Sequence, residues 1–476
     1  MSVQQFDAER TQSRAASVSS AGDPPRNTFV SRFSPAGWWR GLGGLTRSGS
    51  ATEGLSWALY DFANTIFSFA IVSFAMSLWA IQYLGEAAGQ FWFTFAVSVS
   101  VLLNAAVSPV LGAMSDRMGR RKPFLAIFTG LAIGPTLLIG FVDIGLGLLF
   151  FAAANFAYQA ALIYYDALLP DVARPETRGR LSGVGVALGY MGTIVSGLLF
   201  RFTTDTNGDS TAASFLLVGS LFAVFAFPIF LRVQERSPRG AQFRMIDAVR
   251  SWSQLRATVD HARQTPGLLR FIVGRFFYSD PVNTVIVVMS AFATQAIGYT
   301  SSEALNILLL LTVVAVIASF GWGWLTDRIG AKRTLLIVLG SWTAGLLLAG
   351  VVLNPNTFLI AGAILGSGLG GVAVTDRLLL LRLARSDQVG EMLGLYGLAG
   401  KFSAVIGPIA YGSIVGLLLG PLGKTAYQVA ILSLLVLMVI GYLIVRKVPE
   451  GVTHAEQEQE LGTPVEPAIV PPGEAP

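Results

Sequence analysis

Long apolar runs rich in Leu, Ala, Val, Phe and Gly alternate with short polar stretches along most of the chain. The runs predict helices near 55–83, 91–114, 123–142, 146–170, 181–200, 212–231, 268–297, 303–326, 334–353, 357–384, 391–418 and 425–445. Each is long enough to cross the ~30 Å hydrocarbon core of a bilayer. Their apolar residues are continuous, whereas the strands of a membrane barrel alternate polar and apolar positions. The expected fold is therefore all-α and membrane-embedded, with twelve transmembrane helices.

The polar stretches divide the rest. Residues 1–50, with Pro24-Pro25, read as a disordered cytoplasmic arm. Residues 447–476, with Pro471-Pro472, read as a second disordered tail. The first six helices occupy 51–231 and the last six 268–446, joined by a linker at 232–267. Within that linker Phe243, Ile246, Val249, Trp252, Leu255 and Val259 recur at helical spacing, with Arg244, Arg250, Arg256 and Arg263 between them. Such a pattern predicts an amphipathic helix on the membrane surface.

Charge sets the orientation. Of 33 Lys and Arg residues, 28 fall in the two tails and every second loop, and only Arg201 and Lys424 lie on the other side. This asymmetry predicts that both termini are cytoplasmic and that the chain is a multi-pass protein of the cell (inner) membrane. The formal charge of +5 then reflects topology beside an anionic lipid leaflet, not nucleic-acid binding. The chain has no Cys and only two His, both in polar segments, which argues against a metal site or cofactor. No catalytic constellation appears, so an enzyme is not expected. Gly366-Ser-Gly368-Leu-Gly370-Gly371 fits a dinucleotide fingerprint, but it lies in an apolar helix with no strand before it. Gly362, Gly366 and Gly370 recur every four residues, which suits close helix packing.

One segment occurs twice. Gly112, Asp116, Arg117, Gly119, Arg120 and Arg121 follow the second helix; Gly323, Asp327, Arg328, Gly330 and Lys332 follow the eighth. The glycines and aspartates are offset by a constant 211 residues. The spacing implies a parallel duplication into two pseudo-symmetric six-helix bundles. The segment resembles the loop between helices two and three of the major facilitator superfamily. That resemblance implies a cytoplasmic gate in each half.

A narrower resemblance runs from residue 54 to about 445. It is carried by Trp57-Ala-Leu-Tyr60-Asp61-Phe62-Ala63-Asn64, Tyr164-Tyr165-Asp166 with Pro170-Asp171, Gly179-Arg180, Phe276-Phe277-Tyr278-Ser279-Asp280, and Leu395-Tyr396 with Gly400-Lys401. These are similar to the vacuole-effluxer-like family, and the likeness implies export of amino acids. Asp166 stands where asparagine is usual in such sequences, and the tenth helix keeps Arg377 without the usual glutamines.

Charges inside apolar helices cost ~2.5–3.5 kcal/mol each on insertion scales, so by default they mark a pathway. Asp61, Asp166, Arg275, Asp280, Asp376, Arg377 and Lys401 are such residues. Trp57, Asp61, Asn64 and Ser68 form one helical stripe, and Asn155, Gln159, Leu162 and Asp166 another. Asp280 is joined by Asn283 and Thr284, beside Pro281, which is expected to bend the seventh helix. Helices one, four, seven and ten line the cavity in major facilitator proteins. The pathway set is therefore Tyr60, Asp61, Asn64, Asn155, Gln159, Tyr165, Asp166, Tyr278, Asp280, Asn283, Asp376, Arg377 and Lys401. Asp61, Asp166 or Asp280 would carry a coupling proton, and Arg377 with Lys401 would hold a substrate carboxylate. The alternative for these charges is pairing that locks helices, within Arg275–Asp280 and Asp376–Arg377 in particular. The expected function is secondary transport of a small polar solute by a monomer, among membrane lipids. A non-transporting receptor or scaffold and a lipid scramblase are the other classes open at this point.

Overall fold

The computed structural model describes residues 41–118, 120–174, 177–204, 211–236, 256–384 and 389–450. Within these, the side chains of residues 112, 113, 115–118, 178–180, 320, 327 and 389–391 lie outside the description. So do the expected arm and tail at 1–40 and 451–476, and the linker positions Phe243 to Leu255.

Among the described residues 12 helices are long and apolar enough to span a membrane. They are α1 (Ala51–Leu84), α2 (Glu86–Met118), α3 (Lys122–Leu138), α4 (Ile144–Val172), α5 (Arg178–Phe200), α6 (Ala212–Arg232), α7 (Leu268–Ile297), α8 (Ser301–Ile329), α9 (Ala331–Val351), α10 (Pro355–Leu383), α11 and α12 (Thr425–Arg446). α11 is two pieces, α11a (Val389–Ser403) and α11b (Ile406–Leu422). The boundaries follow local chemistry. Asp143 caps α4, Thr300 and Glu303 form a reciprocal capping box on α8, and Asn354 with Pro355 starts α10. Gly330, at φ 88, makes the whole turn between α8 and α9, a backbone conformation that favours glycine.

α1 packs against α5 and α6, α3 against α4, and α2 against α4. In the second set α7 packs on α12, α9 on α10 and α12, and α8 on α10. The glycine stripe of α10 performs the packing its spacing suggests. A Cβ on Gly362 would meet Leu311 of α8 at 2.6 Å, and one on Gly370 would meet Ser319 at 1.8 Å.

Contacts between the two bundles concentrate away from the termini. Ser77 on α1 bonds Ser290 on α7 at 2.8 Å, and Tyr427 on α12 bonds Glu86 on α2 at 2.7 Å. Gly412 of α11b sits against Thr94 of α2, and Gly197 of α5 against Leu309 of α8. Nearer the tail side, Asp166 on α4 and Arg377 on α10 are exposed despite lying in apolar helices.

Three spans depart from regular α-helix. α1 contains a π-helical stretch at Ser68–Ala75 and α7 ends in one at Phe292–Ile297, distortions common at functional sites. α11, expected as one helix over 391–418, is interrupted at Ala404 and Val405. Pro408 lacks the N–H that would continue the ladder. α7, by contrast, continues as helix through Pro281.

Candidate functional site

A cavity of about 370 Å³ lies between the bundles, walled by α1, α2, α4, α7 and α11. Its polar lining includes Ser68, Asn155, Gln159, Arg275, Asn283 and Lys401. The π-helical stretch of α1 supplies Ser68, Val72 and Ser73, so the distortion faces the cavity. An apolar side pocket of about 130 Å³ shares Ser73 and Ile286 with it and reaches Trp342.

Of the pathway residues expected from the sequence, the structure brings Asn155, Gln159, Asn283 and Lys401 together at this cavity. On α4 the stripe holds as far as Leu162, and Asp166 lies one turn further toward the tail side, exposed. On α1 the stripe does not hold. Only Ser68 reaches the cavity lining, while Trp57 and Asn64 are buried within the first bundle. Tyr165 stacks between Trp57 and Tyr60 at centroid distances of 4.7 and 4.9 Å, and Tyr60 bonds Thr129 of α3 at 2.7 Å. Tyr60 and Tyr165 are thus core of the first bundle, behind the cavity wall. Asp61 is half-buried, and its carboxylate faces α5 where Gly185 leaves room: a Cβ there would approach Oδ2 to 3.1 Å. Asp61 and Asp166 lie within electrostatic reach of each other, and Asp166 within reach of Lys401 and Arg377.

The deep charges of the second bundle do not pair with their neighbours in sequence. Arg275 turns away from Asp280 and crosses from α7 to α10, with Nε 3.1 Å from Asp376 Oδ2, so Asp376 is taken by Arg275 and not by Arg377. Tyr278 donates to Asp376 Oδ1, Tyr396 donates to Oδ2 at 3.4 Å, and the guanidinium lies 3.6 Å over the Tyr396 ring. Asp376 and Tyr278 are fully buried, so they hold Arg275 from behind and do not line the cavity. Arg377 also lies outside the lining.

Asp280 serves the interruption of α11. Its Oδ1 accepts from the Gly407 N–H at 2.8 Å, and its Oδ2 has no hydrogen-bond partner. On the other side of the break Ser98 of α2 donates to the Val405 carbonyl at 2.9 Å. Irregular backbone at membrane depth needs such partners. A Cβ on Gly407 would fall 2.0 Å from Thr284 Oγ1 and 2.7 Å from Asp280 Oδ1, so only glycine allows this approach.

Asn104 and Ser108, which carry no charge and so stand outside the ionisable set, are further functional candidates. They receive the Lys401 ammonium at 3.0 and 2.9 Å, across the bundle interface, and Asn155 donates to Ser100 at 2.7 Å. Ser100, Asn104 and Ser108 are spaced four apart in an otherwise apolar helix, a signal that could have found them.

At the tail-side rim, Gly119 and the side chains of Gly112, Asp116, Arg117 and Asp327 lie outside the described residues. Arg120 is exposed there. Arg121 pairs with Asp171 at the end of α4, at 3.0 Å. Glu235, just after α6, accepts from the Arg121 and Lys122 N–H groups and so caps α3, while Lys122 Nζ donates to the Phe230 and Val233 carbonyls at 2.8 and 2.7 Å. Arg236 pairs with Glu53 at 3.0 Å. In the second copy Arg328 lies 3.8 Å over Trp324, and Gly323 stands within α8. Lys332 follows Gly330 in the first turn of α9.

Known proteins place this architecture. A major facilitator-type transporter of Bacillus subtilis, YxiO, itself uncharacterized, is 26% identical over 427 residues, covering 86% of this chain and 98% of that one. The crystal structure of the nucleoside transporter NupG superposes with a TM-score of 0.61 at 15% identity, over 83% of this chain and 100% of that one. The inward-open xylose transporter XylE of E. coli gives 0.60 at 16% identity, over 86% and 98%. These likenesses establish the fold. The profile of the family described as "Vacuole effluxer Atg22 like" matches residues 85–458. The chain is an integral multi-pass membrane protein and not an enzyme; it is a transporter of the major facilitator type and belongs to the vacuole effluxer Atg22-like family.

Proposed function

We propose that the protein exports a small polar solute of the amino-acid class by alternating access, with protons as the coupling ion. The observation that carries this reading is the polar cavity at half-depth between two matched bundles, in contact with each other mainly on the side away from the termini. A rocking motion of one bundle against the other would close the tail side and open the far side around the same cavity. The repeated segments at Arg121 and Arg328 would act as gates on the tail side, and the distribution of Lys and Arg supports reading that side as the cytoplasmic face of a cell (inner) membrane.

Three carboxylates support proton coupling. Among the described residues Asp61, Asp166 and Asp280 take part in no ion pair. A proton that neutralises such a group removes the cost of an ion at membrane depth, so its arrival and departure bias the two states differently. The family's description as effluxer-like supports the export direction. The cavity's amide and hydroxyl groups suit a solute with several hydrogen-bonding atoms. A monomer contains every element this cycle requires.

The test is flux in proteoliposomes. Purified protein is expected to give saturable amino-acid counterflow, and an imposed proton gradient is expected to accelerate net movement. Asp166→Asn is expected to retain counterflow and lose the response to the gradient. Movement of lipid with no solute flux would contradict the reading.

A further inference from the structure

The central cavity carries two cations and no acid. Arg275 and Lys401 line it, and none of its lining residues is Asp or Glu. The two charges are compensated unequally. Arg275 is neutralised from behind by buried Asp376 at 3.1 Å. Lys401 donates to neutral acceptors, the Asn104 amide oxygen and the Ser108 hydroxyl. Among the described residues it has no ion-pair partner, and Asp166 acts on it only through space.

An ammonium held at membrane depth by neutral groups is poorly compensated. A carboxylate entering the cavity would offer it charge-assisted bonds roughly twice as strong as those to neutral acceptors. Arg275 supplies a second donor surface. Its guanidinium packs against Gly400, where a Cβ would lie 2.5 Å from Nη1; Nη1 is buried there without a hydrogen-bond partner, and the side chain, 14% exposed, still reaches the cavity wall. Arg275, not Arg377, is therefore the arginine placed to act with Lys401. The present bonds of Lys401 also cross from α11a to α2, so they tie the bundles together beside the break in α11.

We propose that Lys401 and Arg275 form an anion subsite for a carboxylate of the solute, and that its occupancy draws Lys401 off Asn104 and Ser108 and releases α11a from α2. This rests on the transport reading above and narrows the solute to molecules that present a carboxylate. The solute's own charge then supplies the differential interaction that shifts the two-state equilibrium.

The test uses the full chain, purified in detergent, and matched pools at equal ionic strength: free amino acids, their amides, short-chain carboxylic acids, primary amines, and neutral sugars with nucleosides. Thermal unfolding is expected to shift upward with the amino-acid or carboxylic-acid pool and not with amides, amines or sugars. Lys401→Gln is expected to weaken the response about 30-fold or more, the effect of truncating one partner of a buried charged contact. Lys401→Arg, which restores the charge, is expected to recover most of it, separating a lost contact from a misfolded variant. An equal shift with amides, a shift confined to neutral pools, no shift with either carboxylate pool, or an undiminished response in Lys401→Gln would overturn the proposal. Saturable flux of a solute that presents no carboxylate would overturn the subsite and leave alternating-access transport standing. Carboxylate binding that depends on Lys401, without flux of any solute, would overturn transport alone.

Discussion

Among the described residues the first bundle keeps its ion pairs at the tail-side rim, where Arg121 meets Asp171 and Arg236 meets Glu53. The second bundle holds a pair in its interior, where Arg275 and the fully buried Asp376 are wrapped by Tyr278 and Tyr396. Its described rim pair, Arg333 with Glu450, is 65% and 56% exposed and so contributes little. The two halves share six helices and a repeated segment, yet the wiring of charge is not repeated. The first bundle is strapped from outside: Thr46 bridges to Ala173, and Arg47 donates from its backbone to the Val172 carbonyl. The second is wired from inside and contains the broken helix.

Substitutions sharpen this contrast. The largest effect is expected from Asp376→Ala, which leaves the buried Arg275 without its counter-charge; losses of about 3–5 kcal/mol are typical for breaking one side of a buried pair. The thermal midpoint of the purified protein should fall sharply, with flux lost. Next comes Gly407→Ala, whose new Cβ meets Thr284 and Asp280; overpacking of this kind costs about 1–3 kcal/mol. Flux is expected to fall more than stability, because the contact holds the break in α11. Gly321→Ala, with nothing within 4 Å of the new atom, is the matched control and should change neither.

Smaller effects belong to the rim. Arg121→Ala removes one partner of a pair whose side chains are 14% and 8% exposed and is expected to cost about 1–3 kcal/mol in stability, read as a smaller drop in midpoint than that of Asp376→Ala. Arg333→Ala should lie within about 0.5 kcal/mol of the parent, as surface substitutions do. If Arg333→Ala matched Asp376→Ala, the contrast between the bundles would be wrong.

The helices were legible because bilayer thickness demands long apolar runs, and the repeat was legible because Asp116 and Asp327 recur at a fixed offset. The break in α11 was not. Pro408 marks it, but Pro109, Pro135, Pro170, Pro228 and Pro281 sit inside helices that continue, so proline alone does not discriminate. The partner of Arg275 was legible in part. Asp280 is five residues away and Asp376 is next to Arg377; neither spacing puts side chains on one helical face, so an inter-helix pair was the sounder expectation. Tyr60 and Tyr165 were drawn into the pathway by their neighbours Asp61 and Asp166. Their rings instead stack within the first bundle, a distinction that depends on helix rotation and is not encoded in spacing alone.

In the proposed cycle one cavity serves both sides of the membrane in turn. The chain has no cysteine, so Gln159→Cys creates a single thiol at the cavity wall. Its labelling by a membrane-impermeant maleimide, applied separately to each face of oriented vesicles, is the direct measurement. Alternating access predicts reaction from both faces, with solute shifting the ratio between them. Protection from both faces, or reaction from one face alone under every solute and pH condition, would contradict it.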